Sequence, residues 1–364
     1  MPIRPLALLA TILSALLLVA VAACGDDDGE ETTPTAAPTG TTTESTTAAA
    51  TDGPSDSITV YSGRSETLVQ PVIDQFEEAT GIEVNVRYGD TAEMAATILE
   101  EGGNSPADVF FAQDGGALGA LASEGLLTPL PDDILNLVDT PYRSHDGFWV
   151  GISGRARVVA YNTEELTEAD LPGSILDFTD PQWDGRIGWA PTNGSLQAFV
   201  TALRILDGDD AARAWLEGIQ ANNPSVYEGN TQVVEGVANG EVDVGFVNHY
   251  YLYRFLEEQG ESFPARNYYT EAGDPGSLIN IAGASILESS GNKAAAEEFI
   301  RYMLSTEGQQ YFADETFEYP LIDGVETHPD LVPLAQIQPP DIDLSDLEDL
   351  EGTLDLMREA GVLP

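Results

Sequence analysis

From Ile58 onward the chain alternates short β-branched runs with amphipathic helical stretches, and that alternation narrows its fold most. Residues 58–62 read as a buried strand. Leu68, Val69, Val72, Ile73 and Phe76 then share one face of a helix over 65–79, which Gly81 stops. Residues 82–88 alternate as a strand. A helix follows around Met94, Ala95, Ile98 and Leu99, and a third strand over 107–111 precedes a helix near 118–126. Such alternation predicts a parallel sheet with right-handed crossovers and a binding site at the carboxyl ends of its strands. Three loops sit at those ends: 62–66, 88–92 and 112–116.

The pattern restarts after Trp149, with strands predicted over 157–161, 185–189 and 242–247. Helices are expected after Thr192-Asn193-Gly194-Ser195, around Trp215 and Ile219, and from Asn230 to the stop at Asn239-Gly240. Residues 283–287 and a helix over 293–304 return to the first half, and a last helix is expected over 344–360. The expectation is an α/β clamshell of two lobes, each a mixed sheet flanked by helices, joined by crossing strands around a ligand cleft. Lobe 1 takes 58–153 and 282–330, and lobe 2 takes 154–281 and 331–364.

Residues 1–23 carry one early arginine, Arg4, and then a long apolar run that ends before Cys24, the chain's only cysteine. That is the pattern of a secretory signal. Val21-Ala22-Ala23-Cys24 resembles a bacterial lipobox, which implies cleavage before Cys24 and lipidation of its thiol. A single cysteine leaves no internal disulfide. Residues 24–57 hold no aromatic and no large aliphatic side chain, so they are expected to form a disordered tether to the outer face of the cell membrane. Net charge is −48, from 62 acidic and 14 basic residues, and Lys293 is the only lysine. This balance excludes nucleic acid and anionic membrane surfaces as partners. It reads as a solvated, salt-adapted surface rather than a metal store.

Chemistry concentrates near residue 250. A phenolate is a hard anionic ligand suited to Fe³⁺, and a polarising metal removes a proton that water leaves in place to about pH 10. Tyr250 and Tyr251 end the run Val247-Asn248-His249-Tyr250-Tyr251. On a strand they would point to opposite faces. If Asn248 ends the strand and caps a helix, they lie about 100° apart in its first turn and converge. Aromatic packing is the competing reading. Asn193-Gly194-Ser195 at a helix start offers amides to an anion, or is an ordinary cap. Arg155 and Arg157, near the lobe crossing, hold an anion, stabilise a phenolate, or pair with a carboxylate. No Ser-His-Asp or Cys-His set is evident, and three scattered histidines make no zinc site, so no enzyme is expected.

Ile58-Thr59-Val60-Tyr61-Ser62-Gly63, Ser105-Pro106-Ala107-Asp108-Val109-Phe110, Ser153-Gly154-Arg155-Ala156-Arg157-Val158, Asn248-His249-Tyr250-Tyr251, Asp274-Pro275-Gly276 and Glu318-Tyr319-Pro320-Leu321 together give the folded region a family likeness. It resembles the ferric-ion-binding periplasmic proteins, substrate receptors of bacterial ABC iron importers. The resemblance implies the type II periplasmic-binding-protein fold. It places paired iron ligands at Tyr250 and Tyr251, and anion-holding positions at Asn193, Gly194, Ser195, Asn230 and Asn248. Carbonate or phosphate is the implied accompanying anion, and a permease with its ATPase subunit the implied partner of a monomeric receptor. His249 reads as a cap or surface residue, and His145 and His328 as exposed. The chain departs from many relatives at Ser65, where they have histidine, at Gln113, where they have glutamate, and at Ser195, where some have a third tyrosine. Remaining iron ligands would then come from anion or water oxygens, or from Glu66 or Asp114, with Arg64 helping to hold the anion. The alternative is a same-fold receptor for an organic anion or phosphonate.

Overall fold

The computed structural model describes residues 57–364, so the signal, Cys24 and all of the expected tether but Ser57 lie outside the described residues. Among the described residues eleven strands form: β1 Ser57–Ser62, β2 Glu83–Tyr88, β3 Val109–Ala112, β4 Leu127–Thr128, β5 Val150–Asn162, β6 Ile187–Trp189, β7 Ser225–Val226, β8 Val244–Asn248, β9 Ala265–Tyr268, β10 Ile279–Leu287 and β11 Tyr319–Pro320. The helices are α1 Glu66–Thr80, α2 Thr91–Glu101, α3 Gly115–Ser123, α4 Asp132–Leu135, α5 Gly194–Asp207, α6 Asp209–Ala221, α7 Asn230–Ala238, α8 Tyr250–Gln259, α9 Lys293–Met303, α10 Thr306–Glu315, α11 Leu334–Ile337 and α12 Leu350–Glu359.

The main strand order is β2-β1-β3-β10-β5-β8-β6-β7. Parallel pairing holds within β2-β1-β3 and within β8-β6-β7, as strand–helix alternation requires. The two long central strands depart from it. β10 runs antiparallel to β3 and to β5. β5 pairs with β10 over Val150 to Ala156, then with β8 and β9 beyond Arg157. All thirteen of its residues are buried. One strand thus carries Arg155 and Arg157 across the change of partners.

The amphipathic pattern of α1 is realised: Leu68, Val69, Val72, Ile73 and Phe76 are all buried. Phe76 meets Phe299 of α9 edge-on, with ring centroids 5.3 Å apart. Gly81 ends α1 with φ of 75°, and its N–H donates to the Glu77 carbonyl at 2.8 Å. A second core gathers Phe178, Trp183, Trp189, Phe199, Trp215 and Phe246 between β6, β8 and helices α5 and α6. Val233, Val234, Val237, Val247 and Tyr319 belong to a third, beside Tyr250.

The C-terminal helix expected over 344–360 is broken in two. Residues Leu344–Glu348 form a 3-10 turn, and α12 starts afresh with Asp349 accepting from the Gly352 N–H at 3.0 Å. Leu344 and Leu347 enter the first core, whereas Leu356 and Met357 enter the second.

Candidate metal and anion site

The three loops foreseen at the strand ends are joined by one side chain. Thr91 Oγ donates to the Gly63 carbonyl at 3.3 Å and accepts from the Gln113 N–H at 3.0 Å. Gly63 allows this approach, since an added Cβ would lie 2.7 Å from Thr91 Cα. Gly63→Ala should therefore cost about 1–3 kcal/mol and displace Arg64 beside it. A chemical-denaturation midpoint equal to that of the parent would refute this.

Tyr250 and Tyr251 converge as the helix-start geometry requires. Their rings stack at 4.3 Å between centroids and 27° between planes. Tyr250 is 1% exposed, and its hydroxyl has no hydrogen-bond partner among the described residues. Asn248 does not cap this helix. His249 occupies the N-cap position with helical φ and ψ, and the helix has no side-chain cap. The Asn248 carboxamide is taken by Arg157, whose Nη1 donates to Oδ1 at 3.1 Å, leaving the buried Asn248 Nδ2 unpaired.

His249 is buried completely rather than at the surface. Its Nδ1 accepts from the Ala156 N–H of β5 at 3.1 Å, and its Nε2 donates to the Phe317 carbonyl at 2.7 Å. The ring stacks on Tyr319 at 4.7 Å. Burial pushes the imidazole down to about 4, against 6.5 ordinarily. Between those values the unfolded chain holds a proton that the native chain refuses. Its contribution to stability is therefore full above 6.5 and falls as pH drops toward 4, a loss of about 3 kcal/mol. His249→Gln should flatten that part of the pH–stability curve of the iron-free protein; an unaltered curve would assign the acid sensitivity to other groups. His145 is exposed as expected, but His328 packs its ring 4.8 Å from Phe317.

Three buried arginines surround the tyrosines. Arg64 pairs with Glu318, Nη2 to Oε1 at 2.5 Å. Burial works against its charge, yet Glu318 and the tyrosines hold the guanidinium above its ordinary value. Arg155 Nη2 donates to the carbonyls of Gln113 and, at 2.9 Å, Ile281. Burial and the charge of Arg64 lower Arg155. Arg157 lies over the Phe199 ring at 5.8 Å and is lowered to about 9, chiefly by burial. Neither Arg155 nor Arg157 has a carboxylate within ion-pair distance among the described residues. Nε and Nη1 of both Arg64 and Arg155 are buried without hydrogen-bond partners among the described residues.

At the start of α5, Asn193 caps the helix. Its Oδ1 accepts from the Ser195 N–H at 3.0 Å and from Ser195 Oγ at 2.5 Å. Asn230 Nδ2 donates to Ser195 Oγ at 3.2 Å and Asn193 Oδ1 at 3.3 Å. The Ser195 amide expected to be free is thus held by the chain's own cap. A Cβ on Gly194 would meet nothing within 4 Å, so there is room above this turn.

The auxiliary candidates divide. Ser65 and Glu66 are exposed at the start of α1, where the Ser65 hydroxyl lies 3.5 Å from the Thr67 hydroxyl. Gln113 meets Arg155 through its carbonyl rather than its side chain. Asp114 caps α3, accepting from the Ala117 N–H at 2.9 Å, and burial raises its pKa. Among the described residues no group of three His, Cys, Asp or Glu side chains is placed to hold a metal ion. Sequence reasoning missed Glu318 and Ser153, whose hydroxyl donates to Glu318 Oε2 at 2.5 Å. The one hint was an acidic residue set against Tyr319-Pro320-Leu321 in an otherwise apolar run.

Two mixed α/β halves, with a buried polar site where the long strands cross, define a type II periplasmic binding protein. The family described as bacterial extracellular solute-binding protein matches residues 72–338, and the chain belongs to that family. The major ferric iron-binding protein of Neisseria meningitidis is 37% identical, over 84% of this chain and 93% of its own length. The Fe(3+)-binding periplasmic protein of Serratia marcescens is 36% identical, over 84% and 90%. Iron-bound HitA from Pseudomonas aeruginosa has the same fold, with a TM-score of 0.80 at 38% identity over 84% of this chain and 99% of its own. These relatives are binding proteins of iron transport, not enzymes.

Proposed function

We propose that this chain is a receptor that binds Fe³⁺ together with a small oxyanion and delivers it to an ABC permease and its ATPase. The observation that carries the reading is the tyrosine pair stacked among three buried arginines, with the buried Tyr250 hydroxyl unpaired among the described residues. Its iron-binding relatives support the same cargo.

Charge supports the anion. Fe³⁺ on two phenolates keeps one positive charge, and Arg155 and Arg157 lack carboxylate partners among the described residues. A polyvalent oxyanion such as carbonate or phosphate offsets that excess. The unpaired Asn248 Nδ2, the Arg155 donors and the Asn193–Ser195–Asn230 cluster are its proposed partners. The two lobes, 58–153 with 282–330 and 154–281 with 331–364, close on the ion in this reading, as a monomer tethered outside the cell membrane by lipid on Cys24.

The test is addition of chelated Fe³⁺ to iron-free protein with carbonate or phosphate present. A visible phenolate-to-iron charge-transfer band is expected. A colourless protein under those conditions would remove the iron assignment.

A further inference from the structure

Glu318 is buried completely, and so is its partner Arg64. Withdrawing both charges from water is costly, and a buried pair is not in itself a stabilising device. Its surroundings point to another role. One carboxylate oxygen is held by Arg64 and the other by Ser153 of β5. Among the described residues Nε and Nη1 of Arg64 have no hydrogen-bond partner, and its charge acts on both Tyr250 and Tyr251. The residues flanking Glu318 reach the same place by a second route. Phe317 is held at φ of 56°, a conformation uncommon for a bulky residue, and its carbonyl accepts from His249. Tyr319 stacks on the His249 ring. Glu318 is therefore connected to the start of α8 both through a side-chain ion pair and through its own backbone neighbours.

Resting on the iron reading above, we propose that Glu318 is a positioning residue that decides between cation and anion at this site. It fixes the Arg64 guanidinium beside the tyrosines and offsets its charge, so that a trivalent cation is accepted where three arginines alone would favour only an oxyanion. The residue contacts neither iron nor anion; it acts through Arg64.

Glu318→Gln keeps the shape and removes the charge, so its two effects have opposite signs. Fe³⁺ affinity, from chelator competition at saturating phosphate, should fall about tenfold, the lower end for residues that orient metal ligands. Phosphate affinity of the iron-free protein, from calorimetry, should rise by a similar factor. Loosened packing would weaken both, and that result overturns the proposal. Glu318→Asp restores the charge and should recover most of the iron affinity. In an Arg64→Gln background the effect of Glu318→Gln on iron should shrink to about twofold, because the partner through which it acts is gone. An effect that persists undiminished there refutes action through Arg64. Should the single variant fail to fold, Arg64→Gln against the doubly neutral Arg64→Gln/Glu318→Gln decides by the same criterion. If the parent protein takes up no iron with phosphate or carbonate, the iron reading fails and this inference with it. If the parent loads and Glu318→Gln loads equally, with phosphate affinity unchanged, only this inference fails.

Discussion

Tyr250→Phe should lower Fe³⁺ affinity by more than about 100-fold, beyond the range seen for residues that only orient metal ligands, while the iron-free protein melts no lower than its parent. The two halves of this result come from one atom. Tyr250 is 1% exposed and its hydroxyl has no hydrogen-bond partner among the described residues. Burying an unpaired hydroxyl costs about 1–3 kcal/mol. Phenylalanine keeps the ring that stacks on Tyr251 and discards the oxygen. The fold loses nothing it uses, and on the proposed reading the metal loses a ligand. Tyr251 is half-buried, so Tyr251→Phe should show the same loss of iron without the gain in stability. Each single variant should weaken and shift the charge-transfer band, and the double variant should abolish it. A Tyr250→Phe protein that melts lower yet keeps its iron would make the hydroxyl part of the core instead of the site. Sites that conflict with stability in this way are where function is expected.

What the sequence discloses about this fold depends on how local the cause is. The five buried residues of α1 follow a 3.6-residue period, and a period is visible in any single chain. β5 has no such mark. It is buried along its whole length, so apolar and polar residues do not alternate, and Gly151, Ser153, Gly154, Arg155 and Arg157 give its first half the look of a loop. The strand becomes legible only at residue 157, where Val158, Val159 and Ala160 restore an apolar run. What makes 150–156 a strand is β10, more than a hundred residues later. Helix α10 was missed for a related reason: Gln309 is buried within it, bonded to the Ile152 and Met303 carbonyls, and breaks the apolar face.

The same distinction runs through the site. The adjacent tyrosines are of the right type for a hard metal, but on their own they read equally as aromatic packing, and only the family motifs tip them toward a site. Their helix start was misassigned by one residue because Asn248 is a good cap in isolation, whereas here Arg157 of a neighbouring strand takes its carboxamide. His249 has the look of a surface residue until Ala156 and Phe317, 93 and 68 residues away, supply partners for both ring nitrogens. Arg64 and Glu318 stand 254 residues apart, and no spacing rule joins them. The Ser65 hydroxyl lies at the exposed start of α1 beside Thr67, and Gln113 meets Arg155 through its backbone carbonyl, so the contacts of these two positions lie outside any local sequence pattern.

Iron affinity should climb steeply with pH, by about 100-fold per unit when both tyrosines bind as phenolates. In the iron-free protein, burial lifts the Tyr250 phenol well above its ordinary value, with Arg64 and Arg155 pulling it back only in part. Below that raised value the proton is present and the metal must displace it. The iron-bound state therefore holds fewer protons than the iron-free state, so acid drives release. Each displaced proton contributes a factor of ten per pH unit, or about 1.4 kcal/mol, and two contribute twice that. Chelator competition between about pH 6 and pH 8, at saturating anion and corrected for the chelator's own protonation, measures the slope directly. Two is expected for the parent and one for Tyr251→Phe. A flat profile would mean that the phenols bind without losing protons, which removes the reason a paired-tyrosine site prefers a trivalent ion. A slope still equal to two in Tyr251→Phe would assign the second proton to the bound anion, and would make protonation of that anion, together with Tyr250, the trigger for handing iron on.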